Sequence, residues 1–188
     1  GLVKGASKGE GLGNQFLSHI REVDSILQVV RCFENSNIVH VDGSVDPIRD
    51  IETINLELIF ADLETIEKRL DRAKKMLKAD KKYQFEIDTL EKVKAVLDEG
   101  KCARTVSLTE EEKDVLKDAF LLTMKPVLYI ANVSEQEIEN VDENENVKKV
   151  KEYANLEGAE VIPLCVKIEE ELSTLEKNDK EEMLAALG

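Results

Sequence analysis

Pro126-Val127-Leu128-Tyr129-Ile130-Ala131-Asn132-Val133-Ser134-Glu135 is an apolar run of strand length that ends on an Asn, with a carboxylate three residues later. Upstream, Ser25-Ile26-Leu27-Gln28-Val29-Val30-Arg31-Cys32-Phe33 is a second apolar, β-branched run. Such a run suits a strand covered on both faces, as in a parallel sheet. Downstream, Ala159-Glu160-Val161-Ile162-Pro163-Leu164-Cys165 predicts a third strand. Between and around these runs the apolar period changes to that of helices, so the class is α/β.

The helical stretches follow from spacing. Phe16, Leu17, Ile20 and Val23 predict a short helix from Asn14. Ile51, Ile54, Leu58, Leu63, Ile66, Leu70, Ala73 and Leu77 predict a long helix without internal Gly or Pro. At ~30 residues and 1.5 Å per residue it would reach ~45 Å, longer than a compact domain needs. Ile87, Leu90, Val93 and Leu97 predict a second helix stopped at Gly100, so the pair reads as an antiparallel hairpin. Thr109-Glu110-Glu111-Glu112 is a capping box opening a third helix through Val115, Ala119 and Leu122. Further helices are expected over Asn146–Asn155 and Glu169–Leu187, and no internal repeat is visible. The chain thus reads as sheet regions 1–47 and 124–188 interrupted by a helical insert, 48–123. The first thirteen residues hold five of the nine glycines and read as a mobile loop.

The whole chain has 188 residues, a length at which folding buries roughly 70% of the unfolded surface. With 26 Lys+Arg against 40 Asp+Glu, its net charge of −14 argues against coating naked or sequence-specific DNA through phosphates. Aromatics are 4% with no Trp, which disfavours a base-stacking nucleic-acid module. Cys32, Cys102 and Cys165 are odd in number and far apart, and His19 and His40 are only two. A disulfide framework or a metal cluster is therefore not expected, and a reducing, cytoplasmic setting fits. No run approaches the ~20 apolar residues of a membrane helix.

In open α/β sheets ligands bind beyond the carboxyl ends of the strands. The first strand leads into Asn37–Asp42 with His40, the second ends at Asn132–Glu135, and the third at Cys165-Val166-Lys167. An Asn followed three residues later by a carboxylate is a spacing used for nucleobase recognition. It is equally the spacing of a strand-capping Asn before an acidic, solvated helix. The stretch from Glu135 to Glu145 carries six acids and no base.

The N-terminal segment Gly-Leu-Val-Lys-Gly-Ala-Ser-Lys-Gly-Glu-Gly-Leu-Gly-Asn-Gln-Phe at 1–16 resembles the switch II region of the Obg-related YchF family of P-loop ATPases. The resemblance continues through Val30–Asn35, His40–Gly43, Asp46-Pro47, Asp50–Glu52, Asn132–Glu135 and Ile162–Leu164. It implies a Ras-like nucleotide-binding domain with a mostly parallel sheet, interrupted by a coiled-coil arm and followed by a TGS domain. No G-x-x-x-x-G-K-S/T occurs; the single Gly-Lys pair, Gly100-Lys101, lacks the upstream glycine. The expectation is a central segment whose P-loop, Mg²⁺-holding residues and TGS domain lie elsewhere in a longer protein. No ATP, Mg²⁺ or other metal is expected to be held by this segment alone.

The family pattern also implies residue roles. Guanine-specific relatives carry Asn-Lys-x-Asp, whose Asp takes two charge-assisted bonds worth ~1.5–3 kcal/mol each. Here Val133 and Glu135 fill those positions, which points to ATP over GTP. Asn132 would brace the loop, Val133 would meet the adenine through its backbone and side chain, and Cys165-Val166-Lys167 would close over the base with backbone N–H groups. After Gly1 stands Leu2, where relatives carry a Gln that orients the attacking water. The resemblance points instead to His40 as the catalytic, water-positioning group; its alternative is a surface histidine near Asp42.

Within the insert, Lys68, Arg69, Arg72, Lys74, Lys75, Lys78, Lys81 and Lys82 face only Asp71 and Asp80. This is either a solvated face that keeps a long arm soluble or a contact with ribosomal RNA, which the family's ribosome association supports. The sequence thus supports a ribosome-associated ATPase, or alternatively a non-catalytic RNA- or protein-binding adaptor regulated by nucleotide.

Overall fold

The computed structural model describes residues 13–34, 45–174 and 184. Its elements run α1 (Gly13–Glu22), β1 (Ile26–Arg31), α2 (Pro47–Leu77), α3 (Tyr83–Asp98), α4 (Glu110–Leu116), β2 (Val127–Asn132), α5 (Glu145–Glu157), β3 (Glu160–Leu164) and α6 (Val166–Ser173). Two compact units result: described residues 13–26 with 51–126, and 27–50 with 127 onward. Their edges differ from the sequence-expected 47/48 and 123/124. Helix α1 goes with the helical unit because Leu17 and Ile20 pack with Leu58, Ala61 and Leu122.

In the helical unit, α2 and α3 form an antiparallel hairpin. Ile59, Ile66, Leu70 and Ala73 of α2 share a core with Ile87, Leu90, Val93 and Leu97 of α3. Helix α3 stops as its sequence predicts: Gly100 takes φ +79, a left-handed value that a Cβ would strain. Helix α4 opens on a full capping box. Thr109 Oγ1 accepts from the Glu112 N–H at 3.1 Å, and Glu112 Oε1 accepts from the Thr109 N–H at 3.0 Å. The helix then ends at Leu116, short of the predicted Leu122, and Phe120 in the following segment adopts φ +51.

That early ending serves a buried polar knot. Asp62, only 2% exposed, lies on the inward stripe of α2. Its carboxylate accepts the N–H of Leu122 (2.8 Å), the N–H of Thr123 (2.8 Å) and the Thr123 hydroxyl (2.6 Å). Thr123 Oγ1 in turn accepts from the Ala103 N–H at 3.0 Å. Continuing α4 as a helix would have withdrawn those N–H groups from Asp62.

The other unit is built on a sheet ordered β1-β2-β3. β2 and β3 are parallel, with Leu128 opposite Glu160 and Asn132 opposite Leu164. β1 is parallel to β2 as well. The Ile26 N–H meets the Pro126 carbonyl at 2.9 Å and the Cys32 N–H meets the Asn132 carbonyl at 2.8 Å, so both strands advance together. Buried Tyr129 places its ring edge-on to Tyr153 of α5 at 6.2 Å, and its hydroxyl donates to the Glu157 carboxylate at 2.9 Å. The expectation that β1 is covered on both faces is corrected. Val30 is 2% exposed, but Leu27 and Val29 on the alternate face are 65% and 59% exposed, with no described element over them.

Helix α5 is capped by Asn144 Oδ1, which accepts from the N–H groups of Asn146 and Val147, and it ends on Gly158 at φ +73. The acidic run forms a 3-10 segment over Ile138–Glu143 in place of a solvated α-helix. Helix α6 begins at Val166, three residues ahead of the predicted start.

Candidate nucleobase cleft

The chain beyond β2 is held from three sides. Asn132, the last residue of the strand, gives its carbonyl to the Cys32 N–H, while its Oδ1 accepts the Val166 N–H at 3.0 Å. One side chain therefore fixes the β2 end to the first turn of α6. Val133 donates its N–H to the Leu164 carbonyl at 2.9 Å. Ser134 and Glu137 close a tight turn, the Ser134 N–H meeting Glu137 Oε2 at 3.2 Å and the Glu137 N–H meeting the Ser134 carbonyl at 3.1 Å.

These segments enclose a cleft of about 590 Å³, with Asn132–Gln136 on one wall, Cys165–Lys167 and Glu170 on another, and Phe33 and Glu34 at the rim. Arg31 holds the rim: its Nε donates to the Phe33 carbonyl at 3.0 Å and its guanidinium lies 5.3 Å from the Phe33 ring centroid. Across the mouth, Lys167 Nζ meets Glu135 Oε1 at 3.0 Å. The hydrogen bond to Glu135, with its charge, raises the Lys167 ammonium above its ordinary value. Below, Cys32 is 1% exposed, and burial, with the charges of Glu137 and Asp50, pushes its thiol up to about 12. A thiol so raised stays protonated, and Cys32 is chemically quiet there.

Five of the residues singled out in sequence meet at this cleft: Asn132, Val133, Glu135, Cys165 and Val166. Val133, however, is 1% exposed with its N–H engaged, so it is floor and offers a ligand little apolar surface. Gly1, Leu2 and His40 lie outside the described residues. Sequence reasoning placed Lys167 at this strand end but gave its side chain no role, and it missed Phe33, Glu34, Gln136 and Glu170 as lining. With α6 starting at Val166, Lys167 and Glu170 are three apart on one helical face, a spacing hidden when the helix was placed from Glu169. Among the described residues no group of three His, Cys, Asp or Glu could hold a metal ion.

The basic residues of the insert belong to the helical unit, and they divide. Arg69, with a side chain 15% exposed, pairs with Asp118 at 2.8 Å and donates to the Val115 carbonyl, so it is structural. Lys68 pairs with Glu64, Lys74 with Glu91 and Lys82 with Asp80. Arg72, Lys75, Lys78 and Lys81 are exposed, and no ion pair within 4.0 Å is seen for them among the described residues. Arg72 and Lys75 lie in the last turns of α2, and Lys78 and Lys81 in the turn that follows it, so the exposed cations gather at the turn end of the hairpin.

No protein-family model matches the chain. The ribosome-binding ATPase YchF of Bacillus subtilis strain 168 is 57% identical over 189 residues, which span 100% of this chain and 52% of that protein. Obg-like ATPase 1 of Saccharomyces cerevisiae is 43% identical, across 100% of this chain and 49% of its own length. The solved structure of the Schizosaccharomyces pombe YchF GTPase superposes with a TM-score of 0.79 at 36% identity, over 98% of this chain and 51% of that one. Over its whole length the chain is similar to proteins of the YchF and Obg-like family. It spans about half the length of the curated relatives it matches. In a YchF-type chain, the parallel sheet and its flanking helices are part of a P-loop NTPase fold, and the long hairpin is its helical insert. Among the described residues no helix is long and apolar enough to cross a membrane.

Proposed function

We propose that this chain supplies the base-recognition loop and the helical arm of a cytoplasmic, ribosome-associated nucleotide hydrolase that uses ATP in preference to GTP. The observation that carries the reading is the bond from the Val166 N–H to Asn132 Oδ1. It braces the base loop against α6 at a cleft large enough for a nucleobase. Residues 1–47 and 124–188 then form two parts of one nucleotide-binding domain, and 48–123 the arm.

Most nucleotide affinity in a P-loop enzyme comes from the phosphate cradle and its Mg²⁺. The chain has no P-loop sequence, so alone it is expected to bind ATP at best very weakly and to hydrolyse none. Calorimetric titration of this chain, beside a longer one that includes the P-loop, tests this; micromolar ATP affinity for this chain would sink it. Support for the adaptor alternative comes from the exposed cations at the end of α2 and in the turn after it. Strong ribosome binding by the full-length protein with negligible turnover would favour it.

His40 is proposed as the group that positions the attacking water, since Leu2 cannot hydrogen-bond one. In the full-length protein His40→Ala is expected to lower kcat by about a hundredfold or more, the usual scale for a positioned acid–base group, with nucleotide affinity little changed. Steady-state turnover near that of the unaltered protein would exclude the role.

A further inference from the structure

The two charges at the mouth of the cleft are arranged as a donor–acceptor pair. Glu135 Oε1 already accepts from Lys167 Nζ at 3.0 Å, while the bond occupies neither Glu135 Oε2 nor the remaining ammonium protons. Both side chains are reachable, 42% and 71% exposed, and both line the cleft. We infer that Lys167, acting through Glu135, is a specificity-determining residue of the base cleft that selects the adenine edge over the guanine edge.

Selection follows from matching hydrogen-bond sets. Adenine presents one donor, its 6-amino group, beside one acceptor, N1. The pair as it stands presents one free carboxylate oxygen beside an ammonium, so each finds a partner. Guanine presents two adjacent donors, N1–H and the 2-amino group, and a carboxylate reads it by accepting both, one on each oxygen. Here one oxygen holds the ammonium. Guanine's second donor must therefore crowd against the ammonium on that oxygen's other lone pair, displace Lys167, or go without an acceptor, and each of these lowers its affinity. Asn132 Oδ1 is already engaged by the Val166 N–H, which makes it a poorer second acceptor than a free carboxylate oxygen.

This inference rests on the base-cleft reading proposed above, and the test separates the two. AMP and GMP carry the same phosphate, so the ratio of their affinities isolates the base. Each is titrated at high concentration, where the very weak binding expected of this chain is still read, into the unaltered chain and into Lys167→Met, following the backbone amide signals of Ser134 and Val166 by NMR. Lys167 is exposed, and Met keeps its stem while removing the charge. The unaltered chain is expected to prefer AMP. In Lys167→Met the AMP:GMP ratio is expected to fall about three- to fivefold, the scale of an exposed ion pair. A ratio unchanged by the substitution, with both nucleotides still moving those amides, would overturn the role of Lys167 and leave the cleft standing. If neither nucleotide moves them in either protein, the cleft assignment falls and this inference falls with it.

Discussion

Asp62→Asn is expected to destabilise the helical unit by about 2–4 kcal/mol, although the side chain barely changes in size. The carboxylate accepts three hydrogen bonds in a site that is 2% exposed. An amide keeps the acceptor facing Leu122 but sets an NH₂ against the Thr123 N–H and hydroxyl. Each buried donor left without an acceptor costs about 1–3 kcal/mol. Burial pushes the Asp62 carboxyl up, while the Thr123 hydroxyl and the N–H groups of Thr123 and Leu122 pull it back down. Asp62→Ala, which orphans all three donors and leaves a cavity, is expected to cost about 3–5 kcal/mol. Urea denaturation of the three proteins checks this. A shift below about 1 kcal/mol for the Asn variant would mean that shape, and not acceptor chemistry, is what the site requires.

The second large effect concerns the arm. If the exposed cations at its turn end contact ribosomal RNA, neutralising Arg72, Lys75, Lys78 and Lys81 to Gln in the full-length protein removes up to four phosphate contacts. Each contact adds about 0.7–0.9 to the slope of log affinity against log salt, so the slope should fall by about 3 to 4. Between 50 and 200 mM salt that amounts to roughly a hundredfold in ribosome affinity. Gln substitution of Lys68, Lys74 and Lys82 is the control, because these cations have carboxylate partners within the protein. Arg69 is left unaltered, as its bond to Asp118 is structural. A salt slope the same in both sets would identify these cations as a solvated face that keeps the arm soluble.

The fold was legible wherever periodicity and punctuation agreed. Gly100 ended its helix, Thr109 and Glu112 capped theirs, and the run after Pro126 made the central strand, Val127–Asn132. Asp62 was not legible. It sits four residues after Leu58 and four before Ile66, on the inward stripe, but an Asp on a long charged helix is ordinarily turned to solvent. Only its distant partners at Leu122 and Thr123 make the position intelligible. The end of α4 was obscured for the same reason, since the apolar residues Ala119 and Leu122 continue a helical spacing that the chain leaves at Leu116. At the cleft, Asn132 and Glu135 could be read from spacing. Lys167 could be placed at the end of β3, but that its side chain and Glu170 share the cleft could not, because this depends on where α6 begins, and helix starts without a side-chain cap carry little signal. The exposure of Leu27 and Val29 was also beyond reach: a continuous apolar run says that a strand can be covered on both faces, not that both covers are present among the described elements.

The parallel pairing of β1 with β2 has a consequence for how the chain reaches this state. Ile26 bonds to Pro126 and Cys32 to Asn132, so each ladder contact joins residues a hundred positions apart in sequence. Closing a flexible loop costs entropy that grows as the logarithm of its length, about 0.6 kcal/mol for each doubling. The intervening hairpin, by contrast, is held by contacts between neighbours in sequence. Once α2 and α3 have paired, much of that hundred-residue loop is stiff, and two effective halvings of its length would return about 1.2 kcal/mol to strand pairing. An insertion that looks like an interruption of the sheet therefore serves as the brace that brings its distant halves within reach of each other.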